Sequence, residues 1–209
     1  HWIRLHYLYP TATTDELIDV IANEPKIVKY LDIPIQHCND TILKNMNRRS
    51  NRAELLDVIG KLRREIPGIT LRTTLIAGFP GETEEDFEAS MAFVTGQRFL
   101  KVHVFPYSRR EGTPAYDFPG QLPEHEKEDR SRRMTAAVEK VRAAEVAAMQ
   151  GRTASVLLET PLSATLFTGY TKQYLPVLVS APGHKTGDIV NVMLGVWDGR
   201  RCRAEIVEK

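Results

Sequence analysis

Leu71-Arg72-Thr73-Thr74-Leu75-Ile76-Ala77-Gly78-Phe79-Pro80-Gly81-Glu82-Thr83-Glu84-Glu85-Asp86-Phe87 decides the fold of this chain. An apolar, β-branched run passes into a Gly-Phe-Pro-Gly-Glu turn. Thr83, with Asp86 three residues on, then has the spacing of a capping box and opens a helix. A strand followed at once by a helix is the unit of a parallel α/β sheet, and such folds bind ligands at the carboxyl ends of their strands. Gly78 and Gly81 let backbone approach a ligand, and Pro80 fixes the turn. An ordinary connecting loop has the same look, so the neighbouring segments must arbitrate.

They repeat the rhythm. Strands are expected at 2–9, 27–35, 69–77 and 102–107. Helices are expected from Thr13 (with Glu16 at capping-box spacing) to about 22, and at 40–46, 53–66 and 83–95. Residues 69–77 read as buried on both faces, as parallel strands are. Four such units are too few for a closed eight-fold barrel, so a partial barrel is expected over 1–122. The stretch 108–123 is rich in Gly and Pro and reads as loop. A long polar helix over 124–150 follows, with a narrow stripe of Met134, Val138, Val141 and Met149; it is expected to cross the outer surface as a connector (123–150). From 151 to 209 short strands at 153–159, 166–170, 175–180, 189–194 and 201–207 are separated by turn signals. That pattern predicts a small all-β barrel of the oligonucleotide-binding type.

The bulk numbers set bounds. The 209 residues carry a formal charge of +1, so no global electrostatic argument for nucleic acid exists, although a local patch can hide in a balanced total. No apolar run is long enough for a membrane span, and no membrane partner is expected. Cys38 and Cys202 are far apart and form no CxxC, so spacing predicts no metal site; this usage suits a reducing cytoplasm. His1 starts directly in a strand-like run, which reads as a piece of a longer chain.

Candidate functional residues gather at strand ends. Gln36 and His37 follow the second strand, where Gln36 can bond a polar cofactor group and His37 can move a proton or orient a substrate. Both are equally able to satisfy buried backbone groups, the more ordinary role for His37. Asp32, amid apolar residues, needs a partner, and Arg4 or Arg72 can supply it; Arg72 can alternatively reach a carboxylate or ribose. The Gly78–Gly81 run offers amides and the flat Phe79, against which a purine ring can lie. Tyr107 can stack on a base or cofactor, and Arg109 and Arg110 can meet phosphate or sit in solvent. Basic residues at Lys44, Arg48, Arg49 and Arg52 read as a solvated helix surface. In the small barrel, Lys172 and Tyr174 combine charge and aromatic area in the way that suits unpaired bases.

With these segments in order, the chain resembles the radical-SAM methylthiotransferases. The resemblance rests on Trp2-Ile3-Arg4-Leu5-His6-Tyr7-Leu8-Tyr9-Pro10, on Tyr30 to His37, on Leu71 to Glu82 and on Val102 to Ser108, which look like the family's third to sixth barrel strands. Residues 151–209 look like its TRAM domain. The resemblance implies an α/β fold, a partial radical-SAM barrel of TIM type followed by a TRAM barrel. It implies S-adenosyl-L-methionine (SAM) as cofactor, with Gln36, Arg72, Gly78, Phe79 and Pro80 lining its pocket and His37, Tyr107, Arg109, Lys172 and Tyr174 on the substrate side. The family's two 4Fe-4S clusters are held by an N-terminal domain and a CxxxCxxC loop, neither of which is in this sequence, so the piece is expected to be inactive alone. The Gln-His pair at 36–37 resembles the RimO branch, which modifies an aspartate of a small-subunit ribosomal protein. Residues 101–114 and 168–174 resemble the MtaB branch, which modifies threonylcarbamoyladenosine in tRNA. The barrel strands favour the first. Two other readings compete: a non-catalytic module binding RNA or a ribosomal protein through its TRAM barrel, and a metabolic TIM-type enzyme, which the absent nucleophile or metal constellation disfavours.

Overall fold

The computed structural model describes residues 1–207. Its first part is a four-stranded parallel sheet in the order β1 (Ile3–Leu5), β2 (Ile27–Asp32), β3 (Thr70–Ala77), β4 (Lys101–Pro106). Helices α1 (Asp15–Asn23), α2 (Asp40–Asn45), α3 (Arg52–Glu65) and α4 (Glu84–Gly96) make the connections, and α5 (Glu124–Ala147) follows the sheet. Its second part is a closed barrel of β5 (Thr153–Pro161), β6 (Leu166–Thr171), β7 (Pro176–Ser180), β8 (Ile189–Trp197) and β9 (Cys202–Ile206). The expected fold class, a parallel α/β unit followed by a small β-barrel, is the one observed. Glu208 and Lys209, the end of the expected 151–209 unit, lie outside the described residues.

Local chemistry sets the element ends. Thr83 and Asp86 form the expected capping box at α4, and Asn51 and Glu54 form another at α3; each cap is worth about 1 kcal/mol. The first helix starts one residue later than its sequence signal. Thr14 caps it by accepting from the Leu17 amide, while the Thr13 hydroxyl donates to the Tyr9 carbonyl. The first strand is shorter than 2–9, because Tyr7 turns to φ 56 and breaks the ladder before Leu8 rejoins it through Asp32. The second stops at Asp32 rather than 35, since Pro34 has no amide to donate. The chain still runs beside β3, with Ile33 bonded to Arg72, and Gln36 to Thr74 and Ile76.

Alternation along the strands gives the sheet two different faces. Leu31, Leu71, Leu75, Ala77 and Val102 pack under the helices in one apolar core, which Met134 and Val138 of α5 complete. Tyr30, Asp32, Arg72, Lys101 and His103 share the other face by register. The second core fills the β-barrel around Val156, Leu158, Val177 and Val192, and Val146 near the end of α5 belongs to it. So α5 is a strut set into both cores rather than a surface connector, and it carries two charges, Lys127 and Arg130, that are themselves buried.

The turn after β6 reaches back onto the sheet's polar face. Arg4 donates through Nη2 to the carbonyls of Thr171 and Lys172, each at 3.2 Å. Its guanidinium lies 4.5 Å from the Tyr174 ring centre, and Tyr174 stacks on Tyr170 at 4.6 Å.

Candidate functional site

At the carboxyl ends of β2 and β3, Gln36 and the turn of 78–82 come together. Gln36 sits at φ 71, an uncommon conformation for a residue with a side chain, and forms a parallel bridge with Leu75. A cavity of about 390 Å³ opens there, walled by Gln36, Met46, Ile76, Phe79, Thr113 and Ala115. Its walls are mainly apolar with a few polar groups, the usual make-up of a small-molecule site.

The turn itself is organised by a residue with no obvious signature in the sequence. Glu82 is 4% exposed, and its carboxylate takes the Gly78 amide on both oxygens, at 3.1 and 3.0 Å. It also receives Arg130 Nη1 at 2.7 Å, and His37 Nε2 lies 3.2 Å from its other oxygen. His37 Nδ1 accepts the Asn39 amide, which leaves Nε2 to carry the proton toward Glu82. Gly78 is at φ 77, and a Cβ there would lie 2.5 Å from Lys127 Cγ, so close approach of α5 demands glycine. The signal was present: Lys127, Arg130, Met134 and Val138 follow one helical face, but the charges at 127 and 130 hid it.

The other candidates scatter. Phe79 is 4% exposed, with Tyr107 edge-on at 5.2 Å and Phe118 at 6.3 Å, so it offers the cavity part of a wall rather than a free platform. Pro80 is buried beside it. The Gly78 and Gly81 amides are used internally, by Glu82 and the Gly120 carbonyl, and are not open to a ligand. His37 is 2% exposed and fully partnered, so no substrate reaches it in this arrangement. Tyr107 is a core residue whose hydroxyl donates to the Ala115 carbonyl. Arg109 lies exposed over Tyr116, 4.1 Å from its ring centre, and donates to its carbonyl. Arg72 is elsewhere: it pairs with Asp32 at 3.2 Å, six residues before Gly78, roughly 20 Å at strand rise. Tyr174 and Lys172 face the sheet, Lys172 lying over Trp2 at 5.6 Å, and Tyr174 packs on Arg4 and Tyr170 instead of standing clear for a base.

For a metal or cluster the donor set is wrong. Cys38 and Cys202 are buried in different cores, and among the described residues no three His, Cys, Asp or Glu side chains converge. Burial pushes both thiols above the usual cysteine range. Among the described residues no helix is long and apolar enough to cross a membrane.

Comparison with known proteins agrees with this architecture. Residues 2–94 match the model of the Radical SAM superfamily. Ribosomal protein uS12 methylthiotransferase RimO of Geobacter sulfurreducens is 43% identical over 200 residues, 92% of this chain and 45% of the relative. The RimO of Trichlorobacter lovleyi is 44% identical over 215 residues, covering 100% of this chain and 48% of the relative. The chain thus spans a little under half the length of these relatives. Among solved structures, Escherichia coli coproporphyrinogen III oxidase (HemN), a radical SAM enzyme, superposes with a TM-score of 0.56 at 17% identity, over 67% of this chain and 32% of its own, a likeness of fold alone.

Proposed function

We propose, from the premise that this chain is a homologue of the RimO methylthiotransferases with a radical-SAM segment, that it forms one cofactor wall and the β-barrel of an enzyme that methylthiolates ribosomal protein uS12. The observation that carries this reading is the cavity at the strand ends, in a chain 43–44% identical to RimO proteins over nearly its whole length. SAM bound there supplies the adenosyl and methionine chemistry of the superfamily. Gln36 holds a polar edge of the cofactor, and Ile76, Met46 and Phe79 give the adenosyl group an apolar wall. Gly78 and Pro80 shape that wall from behind, held by Glu82. Arg72 stands too far along the strand to share this role. Among the described residues no donor set fits a cluster, so no step is assigned to one.

The units 1–122, 123–150 and 151–209 belong to the same proposal, with α5 joining the two working parts. The two unpaired cysteines suit the reducing cytoplasm, where ribosomal proteins are made. The match to the Trichlorobacter relative runs through residues 100–209 as well, which favours the ribosomal-protein substrate over tRNA.

Titration calorimetry with S-adenosylhomocysteine tests the cofactor part. Saturable binding is expected, weakened about tenfold by Gln36→Ala, the loss of one buried hydrogen bond. Binding indifferent to Gln36→Ala would overturn the assignment. For the substrate, fluorescence anisotropy with a uS12 peptide and with tRNA across a salt series separates the branches. Binding to tRNA that weakens steeply with salt, and none to the peptide, would favour the RNA reading.

A further inference from the structure

A second cavity, of about 170 Å³, lies at the opposite, amino end of the sheet, between its polar face, α5 and the turn after β6. Tyr30, Arg72, Lys101, Arg142 and the stacked pair Tyr170 and Tyr174 line it. Among the described residues, buried polar side-chain atoms without a hydrogen bond lie on three residues that line it and on two, Asp32 and Arg4, packed behind them against Arg72, Tyr30 and Tyr174. They are Arg4 Nε, the Tyr30 hydroxyl, both Asp32 oxygens, Arg72 Nε and Arg142 Nε. Asp32 is 1% exposed and Tyr30 2%. The Arg72–Asp32 contact of 3.2 Å neutralises charge but is not aligned as a hydrogen bond. Buried polar groups are normally satisfied, so a cluster of orphans beside a cavity marks missing partners.

The orphans state the chemistry of that partner. Three guanidinium N–H groups, from Arg4, Arg72 and Arg142, need an acceptor, and the last two belong to lining residues. The Asp32 carboxylate needs a donor, and the Tyr30 hydroxyl can serve either way. The charge is not balanced: Arg4, Arg72, Lys101 and Arg142 face Asp32 and Glu139, and both Lys101 and Arg142 lean on the single Glu139 carboxylate, at 2.8 and 3.3 Å. The surplus is positive, which rejects a metal cation and selects an anion. Guanidinium forks match oxyanions in shape. We propose that this cavity binds a small oxyanion that carries a proton of its own, with the chemistry of hydrogen phosphate. Its oxygens take the Arg72 and Arg142 Nε protons, and its P–OH donates to the Tyr30 hydroxyl oxygen. The anion would link β2, β3, α5 and, through Tyr174 and Arg4, the β-barrel. Nothing in this site depends on the cavity at the other end of the strands.

Arginine side-chain N–H resonances of the full chain report on it directly. Inorganic phosphate at constant ionic strength should shift two Nε–H signals saturably, and Arg142→Lys should remove one of them and weaken binding at the other. Sulfate, which has no proton to give Tyr30 at neutral pH, should bind about tenfold more weakly. Adenosine 5′-monophosphate separates the sources: tighter binding than phosphate identifies a nucleotide phosphate, weaker binding a free anion that fills the cavity alone. The absence of saturable shifts with phosphate in the unmodified chain would mean that water alone fills the cavity and would overturn the proposal. Equal affinity for sulfate would overturn the part given to Tyr30.

Discussion

Replacing Glu82 should cost more stability than its place in a loop suggests. In Glu82→Ala, Arg130, 7% exposed, loses the carboxylate 2.7 Å away and keeps only the half-exposed Glu84 carboxylate at 3.4 Å and the residue-82 carbonyl at 3.0 Å. The Gly78 amide loses both acceptors, and the His37 Nε2 proton loses the oxygen at 3.2 Å. Breaking a buried ion pair by removing one partner costs about 3–5 kcal/mol. An orphaned buried amide alone costs about 1–3 kcal/mol, and the two do not simply add, because water enters the same hole. The expected loss is therefore about 3–5 kcal/mol. Glu82→Gln keeps one carbonyl oxygen that, at the Oε1 position, still accepts from both Gly78 and Arg130, but it removes the charge that pairs with Arg130 and turns an amide toward His37, so it should lose about half as much. Urea unfolding followed separately at Trp2, beside the sheet, and at Trp197, packed on the barrel core, locates the damage. Phe substitution of the other tryptophan isolates each signal. The Trp2 transition should move to lower urea and the Trp197 transition should move less. A loss under about 1 kcal/mol for Glu82→Ala would refute the claim that this carboxylate holds the turn.

Gly78→Ala should cost about 2–4 kcal/mol in the same assay, from the positive φ and the Lys127 contact together, whereas Gly81→Ala, with open space around it, should cost only the backbone part. His103 is held below its usual pKa by burial and by the neighbouring Arg72 and Lys101. Its neutral form is favoured in the folded state, so stability is complete above the unfolded value of about 6.5 and falls as pH drops from there toward the folded value. His103→Gln should flatten that part of a stability–pH curve. Tyr174→Ala should loosen the barrel from the sheet, by about 1–2 kcal/mol for a half-exposed ring, and should separate the Trp2 and Trp197 transitions. Cys38 and Cys202 should react with a thiol reagent only as fast as the chain opens, since both are buried with raised pKa values.

The elements that were legible in the sequence are those fixed by local chemistry. The Thr83 and Asp86 box and the β-turn spacing of 151–207 rest on neighbours in the chain, and the structure matches them. The Tyr7 break and the Pro34 interruption shorten strands by backbone geometry that an apolar pattern does not record. At the candidate site, the strand ends bring Gln36 and the glycine turn together beside a cavity, as their positions in the sequence led one to expect. What failed was the assumption that polar or aromatic residues near a strand end face a ligand. His37 faces Glu82, and Tyr107 faces Phe79 and Ala115, because partners from 82, 115, 118 and 130 are distant in sequence, while Phe79 gives the cavity only part of a wall. Arg72 and Asp32 were paired correctly, for a buried carboxylate must find a cation. Tyr174 looked like a surface ring until the barrel was folded back on the sheet.

The cofactor site at the strand ends is tested most directly by following backbone amide shifts as S-adenosylhomocysteine is added to the nitrogen-15-labelled chain. Binding at that cavity predicts saturable shifts at Gln36, Ile76, Phe79 and Met46, with Thr70, Lys101 and Gln173 at the other end unmoved. Shifts confined to the amino end of the sheet, or none at the Gln36 end, would contradict it.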